Sequence, residues 1–355
     1  MIVRVYADQV LNRTQIIFPA EGFNMLNIGL IGAGRIGQVH AQTISNHSGT
    51  RLAVISDVYQ PAAETLAKKY HAEVARSEDI IADSAIDAVL IASSTDTHSE
   101  LIEAATQAGK AVLCEKPVDL SLERARTCLA NAAQTGQPVM IGFNRRFDPN
   151  FASIKQALTA GEIGKPELLS ITSFDPAPPP VSYIKVSGGL FRDMMIHDFD
   201  MANFMMGEAP VFISASGSCV VDPEIGKAGD IDTAIVTLRY GDGKMAVIKN
   251  SRRAGYGYDQ RLEVLGSDGL LQAQNMLENT VVKSTTDGVV SAKPTYFFLE
   301  RYMPAYAREW HAFIEALESD SSMPVTLEDG VLALTMAEAA KQSLDTGMPV
   351  RLADV

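Results

Sequence analysis

The six residues Gly32-Ala33-Gly34-Arg35-Ile36-Gly37 constrain this chain more than any others. They follow an apolar run, Leu26–Ile31, and open a helical pattern. G-x-G-x-x-G between a strand and a helix is the form that holds a dinucleotide, whereas glycines without that context need only be structural. Gly32 permits the tight turn, Gly34 lets a pyrophosphate approach the backbone, and Gly37 lets helix and strand pack closely. Arg35 and Ile36 lie between them, where free N–H groups and the positive helix end favour an anion. Asp57 ends the next strand, 20 residues beyond Gly37. A carboxylate there accepts hydrogen bonds from the adenosine ribose diol. It also repels a 2′-phosphate, and Val58 and Tyr59 bring no cation, so NAD is expected over NADP.

Downstream the pattern alternates. Strands are predicted at 52–56, 88–92, 111–114 and 139–143, with helices at 61–70, 98–108 and 122–134. That alternation predicts a doubly wound parallel sheet. After Asn144 the rhythm changes. A helix at 149–160, a strand at 167–172, a proline-rich run at 176–180 and a helix at 190–206 lead into strand-like runs without helices between them. Those runs fall between 211 and 283, with turns at Gly241-Asp242-Gly243 and Ser267-Asp268-Gly269. Helices at 305–317 and 327–346 close the chain. The expected fold is α/β: a Rossmann domain over 25–145, then an α/β domain with an open, mostly antiparallel sheet over 146–355. Residues 1–24 fit neither and end at Met25. They read as a non-native leader from an upstream start, with an arm at a subunit contact as the alternative.

Composition narrows the partners. With 355 residues, 46% hydrophobic and 21% charged, two domains can each bury a core. A net charge of -13 opposes phosphate backbones and anionic membranes, so neither nucleic acid nor a membrane is expected as a partner. No run reaches the ~18 apolar residues of a membrane span. The N-terminus carries no signal-peptide pattern, and a cytoplasmic location is expected. Cys114, Cys128 and Cys219 match no zinc spacing and read as free thiols in a reducing compartment.

Two clusters carry chemistry. Glu115-Lys116-Pro117 closes a predicted parallel strand, and ligands of open α/β sheets sit beyond the carboxyl ends of such strands. Lys116 is therefore placed near the nicotinamide, and Pro117 keeps it extended. Alone, it reads as a surface lysine before a turn. The second cluster runs from Gly188-Gly189 to Asp200. If helical, it puts Asp193, His197 and Asp200 on one face. A carboxylate one turn from an imidazole can orient it and raise its basicity, as a general base for an alcohol requires. A solvated ion-pair stripe is the alternative, but Met194, Met195, Ile196 and Phe199 make the other faces apolar. The histidines are scattered, none in an H-x-x-x-H pair, and no metal is invoked.

Together these residues resemble the family of glucose–fructose oxidoreductase, inositol dehydrogenase and rhizopine-catabolism proteins. The resemblance runs from Met25 to the C-terminus. It rests on the glycine turn followed by His40, Ser93-Ser94-Thr95-Asp96-Thr97-His98, Glu115-Lys116-Pro117, and Gly188-Gly189 with Asp193 and His197. The inositol 2-dehydrogenase subgroup is most similar, through Asn144–Asp148, Asp175–Pro180, His197–Met201 and Tyr256–Arg261.

The resemblance implies NAD-dependent oxidation of a ring hydroxyl of a cyclic polyol, myo-inositol to 2-keto-myo-inositol (scyllo-inosose). Scyllo-inositol or a pyranose sugar is the nearest alternative. A non-catalytic sugar sensor is the remote one, since such a protein would be expected to lose Lys116, Asp193 or His197. By the same resemblance His197 takes the hydroxyl proton, Asp193 binds substrate and tunes the base, and Lys116 touches both substrate and cofactor. Arg146, Asp200 and Tyr256 bind the remaining hydroxyls. Ser93, Ser94, Thr95, His98 and Glu115 line the cofactor. The antiparallel sheet builds a homo-oligomer, a tetramer or dimer. Two positions depart from the pattern: Phe174 stands where relatives often carry arginine, and Met195 where they often carry threonine.

Overall fold

The computed structural model describes residues 25–355, so the expected leader at 1–24 lies outside the described residues. The first sheet has six parallel strands: β1 (Leu26–Ile31), β2 (Thr50–Ser56), β3 (Glu73–Val74), β4 (Ala88–Ile91), β5 (Ala111–Glu115) and β6 (Val139–Gly142). Their order is β3-β2-β1-β4-β5-β6. The order reverses between β1 and β4, and a crevice opens there at the strands' carboxyl ends. Helices α1 (Arg35–Asn46), α2 (Gln60–Tyr70), α3 (Ser77–Ala82), α4 (His98–Gln107) and α5 (Leu122–Ala133) connect the strands. Strands β4, β5 and β6 are buried at every position, as apolar strands covered on both faces must be.

Helix α6 (Pro149–Thr159) leads to β7 (Pro166–Phe174) and to three helices, α7 (Val181–Ile184), α8 (Gly189–Asp193) and α9 (Ile196–Met206). Then come β8 (Phe212–Ser218), α10 (Pro223–Lys227), β9 (Thr233–Arg239), β10 (Met245–Ser251), β11 (Asp259–Gly266) and β12 (Leu270–Ala273). The seven-stranded second sheet runs β12-β11-β7-β10-β9-β8-β15, where β15 is Val350–Arg351. Only the β7–β10 pair is parallel. Both expected turns join antiparallel neighbours. Side chains alternate: in β9, Ala234, Val236 and Leu238 point inward, while Ile235 and Arg239 point out. Helices α9 and α12 (Leu327–Thr346) cover the inner face. The outer face carries Leu168, Ile235, Met245, Leu265 and Leu270, all exposed.

Three expectations need correction. The strand foreseen at 280–283 is not part of the large sheet; β13 (Val282–Thr285) and β14 (Gly288–Ser291) form a separate exposed hairpin. The closing helix α11 (Phe298–Glu318) starts earlier than expected and contains Pro304. The helix foreseen at 190–206 is broken at Met194–Met195, whose amides both turn back to the Leu190 carbonyl at 3.0 and 2.9 Å. The reason is that Leu190, Phe191, Met194, Met195, Ile196 and Phe199 are all buried, and one straight helix cannot turn them all away from a crevice. The break lets them stay in the core while Asp193 and His197 do not.

One core runs through both sheets. Helix α12 returns to the first unit, where Gly330 lies so close that a Cβ would meet the Val118 side chain at 2.7 Å. All three cysteines are free, Cys114 and Cys128 buried. No helix among the described residues is long and apolar enough to cross a membrane.

Candidate active site

The glycine turn has the geometry its spacing requires. Gly32 sits at φ 105°, and a Cβ there would lie 2.4 Å from the Ala92 backbone. A Cβ on Gly37 would lie 2.0 Å from the Gly32 carbonyl oxygen. Gly34 is different: nothing stands within 4 Å of its Cβ position. Two glycines serve the fold, and the third leaves a bare stretch of backbone open at the start of α1. The Asp57 carboxylate accepts the Ala33 amide (2.6 Å) and the Tyr59 amide (2.7 Å), which fixes it at the mouth of the turn. Arg35 is exposed at the start of α1, its guanidinium 5.6 Å from the Phe297 ring centroid. This cradle fits a dinucleotide: an open backbone cradle for a pyrophosphate and a carboxylate for a ribose.

The loop after β4 is pinned from behind. His98 is buried, with Nδ1 2.8 Å from the Pro117 carbonyl and Nε2 3.2 Å from the Ser93 carbonyl. Burial lowers its pKa against the pull of those two oxygens. His98 thus ties the Ser93–Thr95 loop to the Lys116–Pro117 segment rather than presenting a ring at the surface. Ser93 shares a 2.7 Å hydrogen bond with Thr97. Glu115 is likewise engaged, 2.7 Å from His40 Nε2.

Lys116, at the end of β5, reaches across to the second unit. Its ammonium donates to the main-chain carbonyl of Asp193 (2.8 Å) and lies 3.7 Å from that residue's carboxylate. Asp193 also accepts the Tyr183 hydroxyl (2.9 Å) and faces Arg252 at 3.4 Å. Lys116 and Asp193 therefore meet, as the sequence suggested.

His197 enters differently. It lies in the first turn of α9, past the helix break, and no hydrogen bond joins it to Asp193 among the described residues. Its ring packs edge-on against Phe143, and its buried Nδ1 has no partner among the described residues. Burial, with Arg145 and Lys116 nearby, holds the imidazole well below its ordinary pKa. The expectation that a carboxylate raises its basicity is overturned: its named charged neighbours are cations, which favour the neutral ring.

The arginine pair is split. Arg145 donates to Ser173 (3.1 Å) and Asp198 (2.7 Å), and Asp198 also takes Ser173 and Asn250. Arg146 turns the other way and locks onto Asp200 through Nε (2.9 and 3.1 Å) and Nη2 (2.5 Å). It also reaches Asp329 and the Pro324 carbonyl at the start of α12. Arg146 and Asp200 are thus buried and spent on each other. Tyr256 is half-exposed and donates to Asp259 (2.5 Å), part of a network with Arg261 and Asn275. Sequence reasoning passed over Asp175, pushed up to about 6 by burial despite Arg252 and Arg145 beside it. It also passed over Tyr183, Arg252 and the role of Arg145. Of the two departures, Met195 is fully buried in the core, while Phe174 keeps partial exposure.

Comparisons with known proteins agree with this architecture. The oxidoreductase family model with an NAD-binding Rossmann fold (GFO/IDH/MocA) matches residues 26–143, and the family's C-terminal α/β domain matches 155–352. The inositol 2-dehydrogenase of Rhizobium meliloti is 48% identical over 90% of this chain and 97% of its own length. The myo-inositol 2-dehydrogenase of Thermotoga maritima is 47% identical over 93% and 99%. The crystal structure of a myo-inositol dehydrogenase from Corynebacterium glutamicum, 44% identical, superposes with a TM-score of 0.89 over 92% of this chain and 99% of that one. With a cradle shaped for a dinucleotide, a lysine and an aspartate meeting beyond the parallel strands, and two family domains matched in order, the chain belongs to the GFO/IDH/MocA oxidoreductases, which bind NAD through a Rossmann fold.

Proposed function

We propose that this chain oxidises one ring hydroxyl of a cyclic polyol, myo-inositol first, to the corresponding ketone, 2-keto-myo-inositol. The observation that carries the reading is the meeting of Lys116 and Asp193 beyond β5, with a neutral His197 following on α9. The relatives named above support the substrate class. NAD, when bound, supplies the acceptor for the hydride that leaves the carbon. His197 takes the hydroxyl proton, which a neutral imidazole can do. Lys116 donates toward the same oxygen and steadies the charge it develops, and the Asp193 carboxylate accepts from a neighbouring hydroxyl. Arg146 and Asp200 support the pocket from behind by anchoring α9 to α12. Gly32, Gly34, Arg35, Ile36, Gly37 and Asp57 hold the cofactor's adenosine half and pyrophosphate. Ser93, Ser94 and Thr95 line its nicotinamide half. The reading takes the reaction to be cytoplasmic, where a renewable NAD pool is available.

The direct test is NADH formation by purified protein against a panel of inositols, pyranoses and linear 2-hydroxy acids. Preference for scyllo-inositol or glucose keeps the class and points to Phe174. Turnover of a 2-hydroxy acid without turnover of any ring polyol sinks the reading. Stable NAD binding with no turnover anywhere favours a sensor.

The cofactor preference has its own test. With Asp57 facing the ribose and no cation at Val58 or Tyr59, kcat/KM for NAD is expected to exceed that for NADP. Asp57→Ala narrows the gap chiefly by weakening NAD. Equal or better use of NADP by the native enzyme would refute this.

The reading includes a homotetramer or dimer built on the outer face of the second sheet. Its support is the row of exposed apolar residues across neighbouring strands, Leu265, Leu168 and Met245, which pair directly. Such a face on a lone protein marks an interface. Light scattering at micromolar concentration is expected to give a multiple of the chain mass, and Met245→Lys with Leu168→Lys to reduce it. A monomeric native protein ends the proposal.

A further inference from the structure

We propose that Arg252 is a positioning residue for the reaction: its buried guanidinium spans both ends of α8 and holds the Asp193 carboxylate in place against Lys116. The inference rests on the reading that Asp193 belongs to the catalytic unit.

Helix α8 has five residues, too few to be stable by its own hydrogen bonds. Yet it must deliver Asp193 to Lys116 accurately. At its start, the Leu190 amide donates to Asp230 Oδ1 at 3.0 Å. At its end stands Asp193. Arg252 lies between the two carboxylates, Nη1 3.4 Å from Asp193 Oδ2 and Nη2 3.5 Å from Asp230 Oδ2. It is 1% exposed, and its own backbone is tied by a 2.8 Å bond from its amide to the Asp232 carbonyl. A guanidinium stays charged at any working pH, so this is a permanent cation.

Its geometry is that of a strap rather than a closed ion pair. Both contacts are long, and neither Nε nor Nη2 makes a hydrogen bond among the described residues. The pull on Asp193 is therefore mainly Coulombic and leaves the carboxylate free to accept from a substrate hydroxyl. The groups facing Asp193 are Lys116 from the end of β5, Tyr183 from α7, Arg252 from beyond β10, and Asp175 from beyond β7. Lys116 and Arg252 approach different carboxylate oxygens, Oδ1 and Oδ2. Removing Arg252 takes away the cation that Asp175, Asp193 and Asp230 share, leaving Lys116 beside Asp193 and Arg145 beside Asp175. The Asp193 carboxylate loses its strap, and Asp175, raised by burial and held down by Arg252 and Arg145, keeps its proton to higher pH.

The test compares the native enzyme with Arg252→Met, Arg252→Lys, Asp230→Asn and Asp193→Asn, measuring kcat, KM for NAD and polyol, and the pH profile of kcat/KM. Arg252→Met is expected to lose about 10²-fold in kcat, the scale of a small misplacement. KM for NAD stays near native, and the acid limb of kcat/KM moves up by about one unit, as loss of a neighbouring cation dictates. Arg252→Lys returns the limb to its native position but only part of kcat. Asp230→Asn, nearly isosteric, loosens the strap and lowers kcat without moving the limb upward. A folded Arg252→Met with native kcat and an unmoved limb overturns the proposal. If that variant does not fold, Asp230→Asn decides, and native kcat there overturns it equally. Asp193→Asn separates the two levels: native activity in it sinks the role of Asp193 itself, whereas loss in it beside a silent Arg252→Met sinks Arg252 alone.

Discussion

Replacing His197 by alanine is expected to lower kcat by ~10²–10⁴-fold, the usual contribution of a positioned acid–base group, while NADH still binds. The imidazole stands at the edge of the crevice and away from the glycine turn, so the two properties separate. A variant that keeps more than about a tenth of native kcat means that the proton goes elsewhere. Lys116→Met should cost a similar amount, and the double variant little more, because residues acting as one unit do not add. The pH profile carries an independent sign. His197 acts as a base only when neutral, and burial together with Arg145 and Lys116 keeps it neutral to below its ordinary value of 6.5. A limb due to this group therefore lies on the acid side of that value, with activity falling as the pH drops through it. Removing the positive charge of Arg145 would move the limb toward higher pH, provided that the variant folds.

The second large effect is expected at the glycine turn, where three alanine substitutions should give two different outcomes. Gly37→Ala drives a methyl into the Gly32 carbonyl, a backbone atom that cannot step aside. Gly32→Ala adds a left-handed φ to a backbone contact that is also far too close, at 2.4 Å. Both should lower Tm, costing more than the ~1–3 kcal/mol of ordinary overpacking, and abolish NAD binding. Gly34→Ala meets nothing, so stability should stay within about 0.5 kcal/mol of native. Its methyl occupies the space left for the pyrophosphate, and only NAD affinity falls. Thermal melts with and without NAD, plus NADH fluorescence, distinguish these patterns. Equal destabilisation by Gly34→Ala and Gly37→Ala would show the division of roles to be mistaken.

The parallel sheet was legible because its strands are near-continuous apolar runs separated by helices of ordinary length, and because the glycine turn has one structural solution. Elements of only a few residues, such as α7 and β15, carry no measurable period and were missed. The neighbourhood of Asp193 and His197 was also legible, but not how they are carried. Their spacing fits one helix, and the break at Met194–Met195 arises from burying apolar side chains on every side, which local periodicity does not weigh. Arg145 and Arg146 are adjacent letters. Which of them faces His197 is decided by the turn at Asn144–Phe147 and by the distant partners Asp198 and Asp200. Tyr183 and Arg252 reach Asp193 from 10 and 59 positions away, and no local pattern signals such meetings.

The break between α8 and α9 also bears on how firmly His197 can hold a proton. Had the helix been continuous, the imidazole would sit in mid-helix, far from either end of the backbone dipole. Instead it lies in the first turn of α9, at the positive end of that helix's dipole. In the proposed role of His197, a proton accepted there would meet the helix end, Lys116 and Arg145, all of which disfavour the charged ring. Such a base holds its proton weakly, so the charges that keep the ring neutral before the reaction also favour its return to the neutral form afterwards.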